Sequence, residues 1–219
     1  MPVLLFGLLF GGAAFAEDSQ APQELRVMAF GDSLMAGYGL AQRDGFIAQL
    51  GAWLIENGGS GAAPVRLINS SVSGSTTAGG LRRIDWALAD SPDAMIIGLG
   101  GNDLLRGINP EDTRANLDGI LSKADERGIE VLLVGLIARD NYGPEYNAAF
   151  NAIYPELAEE HGTLLMPDFF AALPNDPAKL AEYVQPDGTH PNARGVAVIV
   201  KDIGPKVQDL IMRSLEDPK

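Results

Sequence analysis

Short apolar runs that alternate with longer amphipathic runs constrain the fold of this 219-residue chain more than any other feature. The apolar runs have the length of buried strands, and glycine, proline or polar residues separate them from segments with helical periodicity. Five strands are predicted, at residues 25–30, 65–69, 94–99, 130–136 and 163–166. Helices are predicted at residues 45–57, 77–89, 110–127 and 144–161, and from Ala193 onward. Pro155 should bend the fourth helix, and Gly204-Pro205 should interrupt the last one.

Repeated alternation of strand and helix predicts an α/β fold in which helices cover both faces of a five-stranded parallel sheet. Ligands bind such sheets beyond the carboxyl ends of the strands. Four loops should meet at that edge, at residues 31–39, 70–76, 100–107 and 137–143. One domain spanning residues 24–219 accounts for the whole pattern.

The N-terminal segment is expected to be a cleavable secretory signal. Residues 1–16 contain no charged side chain and end in Ala14-Phe15-Ala16, directly before Glu17. The run is too short to span a bilayer, which takes about 20 residues. Residues 17–23 would be a polar linker, and the mature protein would be periplasmic or secreted. No Lys or Arg precedes the run, so either the terminal amine suffices or the true start lies upstream; an apolar helix packed on the domain is the alternative.

Charge and composition exclude several classes of partner. The formal net charge of −13 argues against binding to nucleic acid or to anionic membranes. With no cysteine there is neither a disulfide framework nor thiolate chemistry, and with only two histidines a histidine-rich zinc site is implausible. We expect a monomer that acts on a small molecule without a metal or cofactor.

The segment from Asp187 to His190 carries the strongest chemical signal. It places a carboxylate and an imidazole three residues apart in a loop, between Thr189 and Pro191. A carboxylate that orients an imidazole, which in turn takes a hydroxyl proton, is what a serine nucleophile requires. Ser33 is the candidate nucleophile, because it follows the first predicted strand in a Gly-Asp-Ser turn. Taken alone, without the histidine segment, that turn is better explained as an ordinary connection from strand to helix.

Two further loops contain groups that could stabilise an oxyanion. Gly74 lies among small hydroxyl residues, where its backbone could approach a ligand closely, although a helix-capping turn explains that loop as well. Asn102 follows two glycines at the end of a buried strand and could direct its amide at a developing oxyanion. A dinucleotide loop is rejected there because Asp103 stands where the third glycine belongs. His161 ends a helix and is assigned a structural role.

Together the four blocks resemble the SGNH or GDSL hydrolases. The blocks are Gly31-Asp32-Ser33-Leu34, Ser73-Gly74, Gly101-Asn102-Asp103 and Asp187-Gly188-Thr189-His190-Pro191-Asn192, in the family's order. The similarity covers residues 25–200 and looks closest to the secreted bacterial branch that includes thioesterase I, lysophospholipase and arylesterase.

The resemblance implies a flavodoxin-like three-layer sandwich and a serine esterase that acts on carboxylic esters or thioesters. It makes Ser33 the nucleophile, His190 the general base and Asp187 its orienting carboxylate. Ser33, Gly74 and Asn102 would form the oxyanion hole, while Asp32 and Asp103 would hold loops.

Substrate selection is assigned to the loop at residues 137–143, through Ile137 and Tyr142. An inert connection is the alternative for that loop. A carbohydrate O-deacetylase on the same scaffold and a non-catalytic ligand-binding protein are the alternative functions.

Overall fold

Five parallel strands form the centre of the domain in a computed structural model that describes residues 24–58, 64–139 and 142–216. The strands are β1 (Leu25–Gly31), β2 (Val65–Asn69), β3 (Ala94–Gly98), β4 (Glu130–Val134) and β5 (Leu164–Met166). Their order in the sheet is β2-β1-β3-β4-β5, and every pairing is parallel. This is the flavodoxin-like order, so the predicted fold class is confirmed.

Eight α-helices accompany the strands in the described part of the chain. They are α1 (Ser33–Ala36), α2 (Phe46–Glu56), α3 (Thr77–Leu88), α4 (Gly101–Leu105), α5 (Pro110–Asp125), α6 (Pro144–Glu160), α7 (Pro177–Leu180) and α8 (Ala193–Glu216). The five long helices were predicted, with ends that differ by a few residues. The short helices α1, α4 and α7 were not predicted, because four or five residues are too few to show helical periodicity.

The two faces of the sheet are covered by two groups of helices. Helix α2 packs against α8, while α3 packs against α5, which in turn contacts α6. The central strands are apolar because they are covered on both faces: Val27 and Met28 of β1 and Ile96 and Ile97 of β3 are all fully buried. This rigid centre holds the loops that follow the strands.

The predicted interruption of the last helix was wrong. Helix α8 runs from Ala193 to Glu216 and continues through Pro205. Proline removes one helical hydrogen bond, but the carbonyl that loses its partner belongs to the exposed Lys201, which solvent can reach. Ile203 and Val207, on either side of the proline, are fully buried. Tertiary packing therefore overrides the local breaker.

The predicted signal and linker, residues 1–23, lie outside the described residues. In the part that the structure describes, no helix is both long enough and apolar enough to cross a membrane.

Candidate active site

Ser33 lies at the carboxyl end of β1, where it begins helix α1. Asp32 caps this helix, and its Oδ1 accepts a hydrogen bond from the Leu34 amide at 3.0 Å. Only glycine fits at position 31, because a Cβ there would lie 2.8 Å from the Gly98 carbonyl oxygen on β3. As the first residue of the helix, Ser33 also has a backbone N–H without an intrahelical acceptor. Its hydroxyl and its amide are therefore both presented at the edge of the sheet.

Asp187 and His190 form a self-contained turn that orients the imidazole. Asp187 Oδ1 accepts hydrogen bonds from the amides of Thr189, at 2.9 Å, and His190, at 3.0 Å. Asp187 Oδ2 lies 2.7 Å from His190 Nδ1. The amides of His190 and Thr189, followed by the imidazole, lower the pKa of Asp187 to about 2. The carboxylate is therefore ionised at neutral pH and holds the proton of His190 on Nδ1.

The opposite nitrogen of the same ring faces the serine. His190 Nε2 lies 2.8 Å from Ser33 Oγ, although 157 positions separate the two residues in the sequence. The structure thus brings all three residues of the predicted triad into one continuous chain of hydrogen bonds. In this arrangement the imidazole can accept the hydroxyl proton while the carboxylate stabilises the cation that forms.

The histidine loop is braced by residues that sequence reasoning missed. Gln185 donates from its amide to the His190 carbonyl at 2.7 Å, and from its side chain to the carbonyls of Tyr38, at 2.7 Å, and Pro191, at 3.0 Å. The Tyr38 ring packs against His190 with the ring centroids 4.7 Å apart. Neither residue carries a sequence signal, because the contacts of Tyr38 with Gln185 and with His190 join segments about 150 positions apart.

Asn102 lies beside the serine loop and bridges it to the second loop. Its Nδ2 donates to Asp32 Oδ2, at 3.3 Å, and to the Ser75 carbonyl, at 3.2 Å. Burial raises the pKa of Asp32 to about 6, although the hydrogen bonds from Leu34 and Asn102 act in the opposite direction. The neighbouring Asp103 is buried and accepts from the amide and hydroxyl of Thr77. Both aspartates therefore hold loops, as the resemblance implied.

Gly74 adopts a left-handed conformation in the second loop. Its φ is +78°, a region that favours glycine, and open space surrounds the position of a missing Cβ. The Gly74 carbonyl accepts from Arg106 Nη2 at 3.1 Å, which ties this loop to the third one. The residue itself does not line the cleft described next.

A cleft of about 360 Å³ opens at Ser33 and His190. Its walls are mainly apolar and include Leu34, Leu104, Leu105, Leu136, Ile137, Phe170, Leu173, Leu180 and Val184. Arg139 also lines the cleft, and pairs with Asp168 at 3.3 Å and with Asn175 Oδ1 at 3.1 Å. The two predicted selectivity residues occupy different places. Ile137 lines the cleft, whereas Tyr142 donates to the Leu105 carbonyl at 3.0 Å and does not.

His161 is placed far from this chemistry, at the end of α6. It caps the helix, and its Nε2 lies 2.8 Å from Asp118 Oδ1 on α5. Among the described residues, no group of three or more His, Asp or Glu side chains is arranged to hold a metal ion.

Comparison with known proteins matches most of this chain to characterised hydrolases. The model of the GDSL-like Lipase/Acylhydrolase family matches residues 29–198. The Esterase TesA of Pseudomonas aeruginosa is 34% identical over 205 residues, which cover 93% of this chain and 98% of that protein. The Arylesterase of Vibrio mimicus is 37% identical over 174 residues, 79% of this chain and 82% of that protein. The Thioesterase 1/protease 1/lysophospholipase L1 of Escherichia coli K12 is 32% identical over 212 residues, 96% of this chain and 93% of that protein.

Solved structures agree with these sequence matches. A crystal structure of TesA superposes with a TM-score of 0.76 at 34% identity, covering 84% of this chain and 99% of that one. The structure of AlinE4, an SGNH-hydrolase family esterase, superposes with a TM-score of 0.69 at 41% identity, covering 87% of this chain and 98% of that one.

Proposed function

The chain belongs to the GDSL-like lipase/acylhydrolase family and hydrolyses ester bonds of small molecules, and we propose that Ser33, His190 and Asp187 perform the hydrolysis. The non-catalytic alternative is thereby excluded. The observation that carries the proposal is the unbroken contact from Asp187 Oδ2 to His190, at 2.7 Å, and from His190 to Ser33 Oγ, at 2.8 Å.

In the proposed reaction, Ser33 Oγ attacks the ester carbonyl carbon while His190 Nε2 takes the hydroxyl proton. The tetrahedral intermediate collapses when the imidazolium protonates the leaving alcohol or thiol, and an acyl group remains on Ser33. A water molecule, deprotonated by the same imidazole, then attacks the acyl carbonyl. Collapse of the second intermediate releases the acid and returns the proton to Ser33.

The oxyanion of both intermediates would be stabilised by the backbone N–H groups of Ser33 and Gly74 and by the side-chain amide of Asn102. The Asn102 amide hydrogens donate to Asp32 and Ser75 in the resting enzyme, through long hydrogen bonds of 3.3 and 3.2 Å. An oxyanion is a stronger acceptor than a carbonyl, so one of these N–H groups can be shared with it. Asn102 would then act mainly in the transition state.

The cleft supports carboxylic esters and thioesters with an acyl chain as substrates. Its walls expose more apolar than polar surface, and would bury acyl carbons, each worth about 0.8 kcal/mol, better than a hydroxyl-rich sugar. This weighs against the carbohydrate O-deacetylase. Hydrolysis rates on p-nitrophenyl esters from acetyl to palmitoyl, acyl-CoA and acetylated sugars separate these substrate classes.

The direct test of the nucleophile is covalent labelling. An organophosphonate should modify Ser33 alone, and Ser33→Ala should abolish both labelling and activity. Ser122→Ala, which changes a serine on α5 away from the cleft, is the matched control and should keep full activity. Labelling at another serine, or full activity in Ser33→Ala, would overturn the assignment.

Export and oligomeric state complete the proposal. Residues 1–16 would direct secretion, so the protein expressed in a Gram-negative host should reach the periplasm and begin at Glu17. N-terminal sequencing decides this, and a retained Met1 would contradict it. We also expect a monomer, and size-exclusion chromatography with light scattering tests this expectation.

A further inference from the structure

Arg83 on α3 is a half-buried cation whose partners are backbone carbonyls. Its Nη1 donates to the Ser70 carbonyl at 2.6 Å, and its Nη2 donates to the Gly31 carbonyl at 2.8 Å. The guanidinium carbon lies 3.8 Å from the centroid of the Phe30 ring. The side chain therefore reaches from the helix to the carboxyl edge of β1 and stops behind the serine loop.

The two carbonyls belong to the loops that carry the proposed oxyanion donors. Gly31 precedes Ser33 by two residues, and Ser70 begins the loop that contains Gly74. The Gly31 carbonyl also accepts from the amide of Val72, at 3.0 Å, in that second loop. A single planar guanidinium thus fixes the first loop relative to the second.

Stability alone does not explain an arginine at this position. Within the described residues its Nε is buried without a hydrogen-bond partner, and no carboxylate lies within ion-pair distance. Burial lowers the pKa of Arg83 to about 10, and the charge of Asp32 opposes that fall, so the group remains cationic at neutral pH. An apolar side chain would pack on Phe30 without an unpaired Nε, at the cost of the donor to the Ser70 carbonyl, while the Gly31 carbonyl would keep the Val72 amide.

We propose that Arg83 is a positioning residue that sets the spacing between the Ser33 and Gly74 amides, and thereby the stabilisation of the oxyanion. This inference rests on the proposed function. A guanidinium suits the role because its fork reaches two acceptors at once, which a lysine ammonium on a flexible stem does less well. The effect should appear in kcat rather than KM, because the oxyanion exists only after attack.

The experiment compares Arg83→Met and Arg83→Lys with Arg82→Met, which removes the exposed arginine next in sequence. Titration with an organophosphonate gives the concentration of functional active sites. Because kcat is then expressed per functional site, a variant that folds poorly does not show a falsely low kcat. Arg83→Met should lower kcat per site on p-nitrophenyl butyrate by roughly 10- to 100-fold, with KM within about twofold of wild type. Arg83→Lys should recover part of the loss, and Arg82→Met should match wild type.

An unchanged kcat per titrated site in Arg83→Met would show a merely structural role and overturn the inference, as would an equal loss in Arg82→Met. If Arg83→Met does not fold, Arg83→Lys decides alone: a loss of roughly threefold or more in kcat supports the role, and wild-type kcat overturns it. Failure of the proposed function is distinguishable, because the wild-type enzyme would then not be labelled at Ser33.

Discussion

Each of the two histidines of this chain contacts an aspartate through one ring nitrogen, yet the two differ in what surrounds the rest of the ring. His190 lies 2.7 Å from Asp187, and His161 lies 2.8 Å from Asp118. Their exposures are nearly equal, at 19% and 15% of the side chain, and those of the two aspartates are 40% and 46%. Distance to a carboxylate and burial therefore cannot distinguish a general base from a structural contact.

The two histidines differ in what faces the ring nitrogen that does not contact the aspartate, and in the backbone segment that carries the ring. His190 faces a serine hydroxyl at the edge of an apolar cleft, from a loop that other segments brace. His161 caps α6 and ties it to α5. An imidazole becomes useful for acyl transfer only when an oriented hydroxyl and a substrate cavity meet its free side.

Truncation of each imidazole to alanine should give the largest difference in kcat between the two histidines. His190→Ala should lower kcat by roughly 10⁴-fold or more, because the hydroxyl loses its base, whereas His161→Ala should leave kcat within about twofold. The double variant Ser33→Ala/His190→Ala should cost little more than either single change, because the residues act as a unit. Steady-state hydrolysis of p-nitrophenyl butyrate measures all four. A large loss in His161→Ala at normal thermal stability would contradict the structural assignment.

Exchange of each carboxylate for an amide tests orientation separately from packing. Asp187→Asn should lower kcat by roughly 10²- to 10⁴-fold, because an amide that donates to Nδ1 favours the tautomer whose Nε2 carries the proton. Asp118→Asn, at the matched distance and exposure, should have no effect on kcat. Equal rates in the two variants would mean that Asp187 contributes no more to catalysis than Asp118 does.

Much of this comparison could be predicted from sequence. The chain contains only two histidines, and the loop composition around Asp187 and His190 differs from the helical pattern that ends at His161. The alternation of apolar and amphipathic runs predicted the sheet, and the topology rule placed the loops after strands β1, β2 and β3 at one edge.

What sequence could not predict depends on packing between distant segments. The contact of Gln185 with Tyr38 spans 147 positions, and the contact of Arg83 with Gly31 spans 52, with no periodicity to reveal either. Pro205 misled the prediction because its local cost is offset by burial of the residues on both sides. The opposite pKa shifts of Asp32 and Asp187 follow from burial of the first carboxyl and from hydrogen bonds to the second, and composition reveals neither.

Asp32, next to Ser33, is a buried carboxyl group whose protonation depends on folding. Its pKa is raised to about 6 in the folded protein, so its side chain releases a proton on unfolding between about pH 4 and pH 6, and the contribution of Asp32 to the free energy of unfolding falls as pH rises through that window. Asp32→Asn removes the titration, so its free energy of unfolding should rise relative to wild type by up to about 3 kcal/mol between pH 4 and pH 7. Urea unfolding at both pH values measures the difference. A constant difference would show that Asp32 titrates normally.

The smallest expected effect is on acyl-chain selectivity, in the cleft that borders His190 and does not reach His161. Ile137 lines its apolar wall, so an octanoyl chain should contact this side chain whereas an acetyl group should not. Loss of two methylene contacts, at about 0.8 kcal/mol each, predicts that Ile137→Ala lowers the octanoyl-to-acetyl ratio of kcat/KM about tenfold. Tyr142→Ala should change the ratio less, because Tyr142 does not line the cleft and contacts one of its walls through the Leu105 carbonyl. Ile55→Ala, which truncates an exposed isoleucine on α2, is the control. Parallel losses on both esters, with an unchanged ratio, would place chain-length selection outside the loop at residues 137–143.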